Sequence, residues 1–180
     1  MRVRMAKAAV CLLLSLGATP AAAQSRIIYP LTMRLLVPQN VERSRWGVAP
    51  LQWDTGLVQA ADRYAAELAR TNRWGHSAKA TRPGQGENLW MGSRGAFSPE
   101  QMVGSWLGEA GHYRPSTFPD VSRTGNWADV GHYTQIIWRQ TTRVGCAIRS
   151  SRAHDYLVCR YSAPGNVMGE RVGPVTIASR

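Results

Sequence analysis

The chain has 180 residues, and its 22 basic side chains outnumber its 11 acidic ones, which gives a formal net charge of +11 at neutral pH. This length suits one domain with a single hydrophobic core. The basic residues are scattered along the chain rather than grouped, which favours a solvated surface over a nucleic-acid interface. The charge therefore argues against nucleic acid as a partner and predicts, at most, attraction to anionic components of a cell envelope.

The first 23 residues have the pattern of a secretory signal peptide. Basic residues precede the apolar run 8–16, and Ala21-Ala22-Ala23 provides small residues for cleavage. The apolar run is shorter than the roughly 20 residues that a membrane span needs, although an uncleaved anchor is the alternative. We expect cleavage after Ala23, export to the periplasm or the medium, and one mature domain over residues 24–180 that does not span a membrane.

Two cysteines remain after cleavage, Cys146 and Cys159. In an oxidising compartment an even pair indicates a disulfide. Period-two alternation places the two residues on neighbouring strands joined by a polar hairpin loop at 150–155. A bridge between them would stabilise the fold by about 3 kcal/mol. A metal-binding or catalytic thiol pair is the alternative.

The other predicted elements follow from periodicity and capping signals. Asp54 caps a helix that extends to Thr71, and Ser98 with Gln101 forms a capping box for a later helix. Helices come first and strands last, and the strands are apolar on both faces, so we predict an α+β domain with helices on both sides of a small sheet. In chain order we predict helix 31–45, helix 54–71, loop 72–97, a helix from Ser98, loop 111–127, and strands 133–139, 143–149 and 155–162.

The segment Gly131–Trp138 places His132 directly before β-favouring apolar residues. We interpret it as a strand that holds the imidazole of His132 at its N-terminal end. The alternative is a structural histidine that only forms hydrogen bonds. The predicted loops and helix ends also hold His76, Glu87 and Glu109. Their spacing alone does not define a metal site.

Four motifs follow one another along the chain, at Val48–Asp54, Gly86–Leu89, Gly131–Trp138 and Tyr156–Val167. They resemble motifs of the CAP superfamily, which includes cysteine-rich secretory proteins, venom allergens and pathogenesis-related class 1 proteins. The resemblance follows the family's order, covers nearly all of residues 31–170, and is to a single-domain member of bacterial type. It implies an α-β-α sandwich whose small, mainly antiparallel sheet is covered by helices on both faces.

The resemblance also implies a cleft lined by two histidines and two glutamates. By motif these are His76, Glu87, Glu109 and His132. Two imidazoles and two carboxylates suit zinc or another divalent cation, with water completing the ligand set. Tyr133 and Gln135 are expected to support the ligands through hydrogen bonds.

Three functions follow as hypotheses. We favour a non-catalytic binding module with a metal-capable cleft and a groove for a small lipid or sterol-like ligand. Trp74, Trp90 and Trp127 would line this groove, unless they only close the core. The alternative is a hydrolase in which Glu87, Glu109 or His132 carries the catalysis. In a third interpretation the four cleft residues are only a structural relic, and the basic surface acts on an anionic envelope component or on other cells. The sequence makes no prediction of oligomeric state.

Overall fold

The computed structural model describes residues 30–173, and the predicted signal peptide lies outside this range. Within it the helices are α1 (Leu31–Arg45), α2 (Thr55–Thr71), α3 (Pro99–Gly108) and α4 (Gly131–Ile136). The strands are β1 (Gln52–Trp53), β2 (Gly86–Ser93), β3 (Ser116–Thr117), β4 (Arg143–Ser150), β5 (His154–Ser162) and β6 (Arg171–Val172). No helix in this part of the chain is long and apolar enough to cross a membrane.

The main sheet has the order β1-β4-β5-β2. Strand β5 pairs antiparallel with β4 on one side and with β2 on the other, and the two-residue strand β1 joins β4 in parallel. Strands β3 and β6 form a separate antiparallel pair. The sheet is therefore mainly antiparallel, as predicted.

Helices cover the main sheet on both faces because neighbouring residues of β4 point to opposite sides. Val144 packs into a large core with residues of α1 and α3, whereas Ala147 packs with Ala61 and Ala65 of α2. Gly145 allows the close approach of α2, since a Cβ at this position would collide with the α2 backbone. The result is the predicted α-β-α sandwich.

The three long helices and the disulfide confirm predictions from local signals. Asp54 accepts a hydrogen bond from the backbone nitrogen of Leu57, and Ser98 forms the predicted capping box with Gln101. Cys146 and Cys159 lie opposite each other in β4 and β5 and are bonded. The cross-link therefore fastens the two central strands of the sheet.

The predicted loop 111–127 contains the two-residue strand β3. Two further predictions that are wrong lie at the cleft. Residues Gly131–Ile136 form helix α4 rather than a strand at 133–139. A short, buried apolar run does not distinguish a helix from a strand by its periodicity, which explains this error. The predicted loop 72–97 contains strand β2, whose residues Glu87 and Asn88 are buried although they are polar.

Candidate functional site

A cleft of about 970 Å³ opens on one side of the sheet, and both predicted site histidines line it. His76 comes from the loop between α2 and β2, and His132 comes from the first turn of α4. Glu87, at the start of β2, also reaches the cleft. Residues 56 positions apart in the chain are thus brought to one cavity by the fold.

The first histidine is paired with Glu87. The Nδ1 atom of His76 lies 2.7 Å from Glu87 Oε1. The loop that carries His76 is fastened to α2, because the hydroxyl of Tyr64 donates to the carbonyl of Gly75 at 2.5 Å. The His76 side chain is 55% exposed, while that of Glu87 is fully buried. The imidazole is therefore open to solvent, and the carboxylate that holds it is not.

Further donors surround the Glu87 carboxylate. The backbone nitrogen and the hydroxyl of Ser77 donate to its two oxygens at 3.0 and 2.8 Å. Arg160, directly opposite on β5, places Nη2 2.9 Å from Oε2, and Arg82 Nε lies 3.9 Å from Oε1. Burial alone would raise the pKa of Glu87, but the hydrogen bonds from His76 and Ser77 and the charge of Arg160 lower it below its usual value. Glu87 is therefore held as a carboxylate.

The second histidine is paired with Glu109, the residue that ends α3. The Nδ1 atom of His132 lies 2.6 Å from Glu109 Oε1, and the backbone nitrogens of His132 and Tyr133 donate to Oε2 at 3.1 and 3.0 Å. The His132 ring is stacked on Trp106, with 5.7 Å between ring centroids. Asn88 donates to the His132 carbonyl at 3.1 Å and fixes the backbone from the other side.

Both histidines therefore use Nδ1 for a carboxylate. Among residues 30–173 no hydrogen bond to the Nε2 atom of His76 or His132 is present. A carboxylate on one ring nitrogen orients an imidazole and increases the basicity of the other nitrogen, which is the usual arrangement of a metal-ligating histidine. Each of the two rings thus has the carboxylate partner on Nδ1 that is typical of a metal-ligating imidazole.

The two carboxylates are less available as direct ligands. Glu87 accepts from its neighbours with both oxygens, and so does Glu109. In the described part of the chain, no group of three or more His, Cys, Asp or Glu side chains is close enough to hold a metal ion. Ligation by all four residues together stays a prediction, and it would require the carboxylates to leave these partners.

Tyr133 and Gln135 lie beside the site, but their side chains contact other groups. The hydroxyl of Tyr133 donates to Glu42 at 2.7 Å and accepts from Trp46 at 2.6 Å, and only the backbone of Tyr133 reaches Glu109. Gln135 accepts from the Gly165 nitrogen and donates to Thr141. Tyr133 thus joins α4 to α1, and Gln135 joins it to the loop after β5.

Sequence patterns gave no role to Arg160 or Arg82, which surround Glu87 in the fold. A cross-strand partner such as Arg160 becomes visible only when the register of β2 on β5 is known, and the sequence pattern predicts a loop where β2 lies. Of the tryptophans expected at a groove, Trp127 lines the cleft. Trp74 packs near Tyr156 and Trp90 packs against Phe97.

A sheet between helices, with two histidine–glutamate pairs beside one cleft, defines the class of domain. The sequence profile of CAP, the cysteine-rich secretory protein family, matches residues 37–161. The chain belongs to this family.

Similar proteins agree with this assignment. The chain is 36% identical over 133 residues to "Pathogenesis-related protein PR-1 type" of Sambucus nigra, covering 73% of this chain and 75% of that protein. It is 38% identical over 133 residues to "Pathogenesis-related protein 1" of Arabidopsis thaliana, covering 73% and 76%. The solved structure of NaASP2 with Zn²⁺ has the same fold, with a TM-score of 0.69 at 24% identity over 80% of this chain and 85% of that one.

Proposed function

We propose that this protein is an exported binding module whose cleft binds one divalent cation through His76 and His132. The single observation that carries the proposal is the pairing of each histidine Nδ1 with a carboxylate, at 2.7 and 2.6 Å, while both rings line the same cleft. Zinc is the first candidate, because neutral imidazole is among its preferred ligands. NaASP2, a protein of the same fold, has been crystallised with Zn²⁺.

The two glutamates have an orienting role in this proposal. Each fixes the tautomer of its histidine, so that the proton sits on Nδ1 and the lone pair on Nε2. When bound, the cation would supply positive charge and open positions for a ligand. The affinity is expected to fall as the pH falls, because a protonated imidazole cannot donate to a metal.

Isothermal titration calorimetry tests the metal part. The purified mature protein is expected to bind one zinc equivalent, and a His76→Ala/His132→Ala variant is expected to lose this binding. A His112→Ala/His154→Ala variant is the matched control, since it removes two histidines that do not line the cleft. The same zinc affinity for wild type and for the His76/His132 variant would contradict the proposal.

The second part of the proposal is a groove for a small apolar or lipid-like ligand in the same cleft. Trp127, Val167 and Met168 line it and are 43%, 38% and 67% exposed. Apolar side chains that stay exposed beside a concave cavity are typical of a ligand site. Mass spectrometry of lipid that copurifies with the mature protein tests this part.

A hydrolase is the alternative from another class. Activation of water by Glu87 would need a free carboxylate oxygen, and both oxygens are engaged. Within residues 30–173 the hydroxyls of Ser77 and Thr134 donate to Glu87 and Asn166, so neither hydroxyl is paired with a histidine as its general base. These contacts favour the binding module.

Incubation with peptide, ester and peptidoglycan libraries, with and without zinc, separates the two classes. Turnover that Glu87→Gln abolishes would favour the hydrolase. Bound lipid without turnover would favour the binding module.

We also propose that the mature chain is one CAP domain over residues 24–180. A signal peptidase would release it by cleavage after Ala23, and the protein would then be periplasmic or secreted. The disulfide between Cys146 and Cys159 supports an oxidising compartment. N-terminal sequencing of the exported protein tests the cleavage site.

A further inference from the structure

A second cavity, of about 380 Å³, shares no lining residue with the cleft. It opens between the C-terminal end of α1 and the segment that follows α3, and neither part of the proposed function makes use of it. Three aromatic and three charged residues line it, which are Trp46, Tyr113, Tyr133, Glu42, Arg45 and Arg123. The cavity therefore offers flat apolar surface and charge to the same ligand.

The aromatic side chains form a fixed floor. The ring centroid of Tyr113 lies 5.4 Å from that of Trp46 and 5.2 Å from that of Tyr133. The indole nitrogen of Trp46 donates to the hydroxyl of Tyr133 at 2.6 Å, which locks the two side chains together. Tyr113 and Tyr133 are only 3% and 1% exposed, so the half-buried ring of Trp46 is the surface that a ligand meets. A rigid ring of this kind packs well against the carbon-bound hydrogens of a sugar.

Arg123 provides an oriented guanidinium at the edge of this floor. Its Nε atom donates to the carbonyl of Tyr113 at 3.2 Å, and its backbone nitrogen donates to the carbonyl of His112 at 2.7 Å. Its two Nη atoms form no hydrogen bond and no ion pair with any residue between 30 and 173. A guanidinium that is held through Nε keeps this pair of Nη donors for the two oxygens of a carboxylate.

Glu42 adds hydrogen-bond acceptors, and its charge is already balanced. Its side chain is 11% exposed, and its two oxygens accept from the hydroxyl of Tyr133 at 2.7 Å and from Nη1 of Arg45 at 2.8 Å. Each carboxylate oxygen keeps a lone pair for a further donor such as a sugar hydroxyl. Because Arg45 neutralises Glu42, the positive charge of Arg123 is the surplus that an anionic group would meet.

From this arrangement we propose that the cavity is a second binding site, which takes an acidic sugar unit of a polysaccharide. The carboxylate of the sugar binds Arg123, and its ring lies against Trp46. Its hydroxyls donate to Glu42. A neutral sugar leaves Arg123 without a partner, and an aromatic acid has no hydroxyl for Glu42. The site does not depend on the metal or on the apolar-ligand groove, and the basic net charge of the chain favours the approach of an anionic polymer.

A disaccharide of glucuronate and N-acetylglucosamine is the probe. Its methyl ester is the matched control, because it keeps the sugar and removes the charge. Acetate tests the carboxylate alone, and benzoate tests an aromatic acid without hydroxyls. Calorimetry and tryptophan fluorescence measure binding with EDTA present, so that no metal ion takes part. We expect the acidic disaccharide to bind at least about tenfold more tightly than any of the three controls.

Two variants locate the sugar in the cavity. Arg123→Gln is expected to weaken binding of the acidic disaccharide by about tenfold and to remove its advantage over the methyl ester. Arg152→Gln, in the exposed loop between β4 and β5, removes the same charge away from the cavity and is expected to have no effect. Ala110→Phe fills the cavity from an exposed position of its lining, where the core is not disturbed, and is expected to abolish binding.

Each contrary outcome overturns the inference in a different way. Equal binding of the acid and its ester, or no loss with Arg123→Gln, would show that Arg123 does not bind a carboxylate. Benzoate that binds as tightly as the disaccharide would show that the ligand is not a sugar. Binding that survives Ala110→Phe but is lost in the His76→Ala/His132→Ala variant would place the sugar in the cleft. If the disaccharide does not bind at all, the second site is wrong, and the zinc titration decides the metal proposal separately.

Discussion

The two histidine–glutamate pairs share one hydrogen-bond pattern but sit in different surroundings. Glu87 is fully buried and faces the guanidinium of Arg160 across β2 and β5. Glu109 is 18% exposed and is held by two backbone nitrogens of α4. One carboxylate is therefore part of a buried ion pair, and the other is part of a helix junction.

This difference indicates which glutamate stabilises the fold and which one serves mainly to orient its histidine. A buried carboxylate that balances a buried arginine is needed by the fold, because removing one partner leaves the other charge unpaired. Backbone donors hold Glu109 in place, and no arginine or lysine forms an ion pair with it in residues 30–173. We therefore expect Glu87 to combine a structural and an orienting role, and Glu109 to act mainly by orienting His132.

The largest expected effect is on the free energy of unfolding. Glu87→Gln is expected to destabilise the protein by about 3 kcal/mol, because Arg160 stays buried without its partner. Glu109→Gln is expected to cost about 1 kcal/mol through altered hydrogen bonds. Urea unfolding measures both, with Glu67→Gln on the exposed side of α2 as a control that changes little.

A double-mutant cycle checks the cause of that effect. The Glu87→Gln/Arg160→Met variant is expected to be less destabilised than the sum of its single variants by at least about 1 kcal/mol, since no unpaired charge remains. Strict additivity would show that the ion pair is not the reason that Glu87 matters for stability.

The next effect is on zinc affinity. Glu109→Gln is expected to weaken zinc binding by about 10- to 100-fold, because it removes the carboxylate that orients His132 and increases the basicity of its ring. Competition with a chromophoric chelator measures the affinity, and urea unfolding of the same sample shows that the variant is folded. An unchanged affinity would mean that the Glu109–His132 contact has no part in metal binding.

The smallest expected effect is on the pH dependence of stability. The folded protein lowers the pKa of Glu87 below the usual value of 4.5, so its contribution is complete above that pH and is lost as the pH falls through the lower folded value. The difference in stability between wild type and Glu87→Gln is therefore expected to shrink as the pH falls below about 4.5. Chemical unfolding at several pH values tests this, and a difference that grows in acid would contradict it.

Local signals in the sequence predicted most of the fold. Helix caps at Asp54 and Ser98 and alternation around Cys146 and Cys159 each depend on a few neighbouring residues, and all are confirmed. Helix α4 was mistaken for a strand because its apolar residues are buried on nearly every side, which removes the helical periodicity from the pattern.

The site was predictable in its residue types but not in its arrangement. Motif resemblance identified the four side chains, and the fold brings them into two pairs. Two features of this arrangement depend on strand register and on the position of α4. The histidines contact the glutamates through Nδ1, and Arg160 forms an ion pair with only one of the two glutamates. Such contacts between distant residues leave no local pattern in a single sequence.

Nitrogen-15 NMR of the histidine rings tests the central claim most directly. In the metal-free protein, His76 and His132 are expected to carry the proton on Nδ1, and zinc is expected to shift their Nε2 resonances while His112 and His154 stay unchanged. This result would show that the two imidazoles hold the cation and that the glutamates orient them. Zinc coordination through Nδ1, with the ring proton on Nε2, or no shift at one of the two rings, would contradict the account.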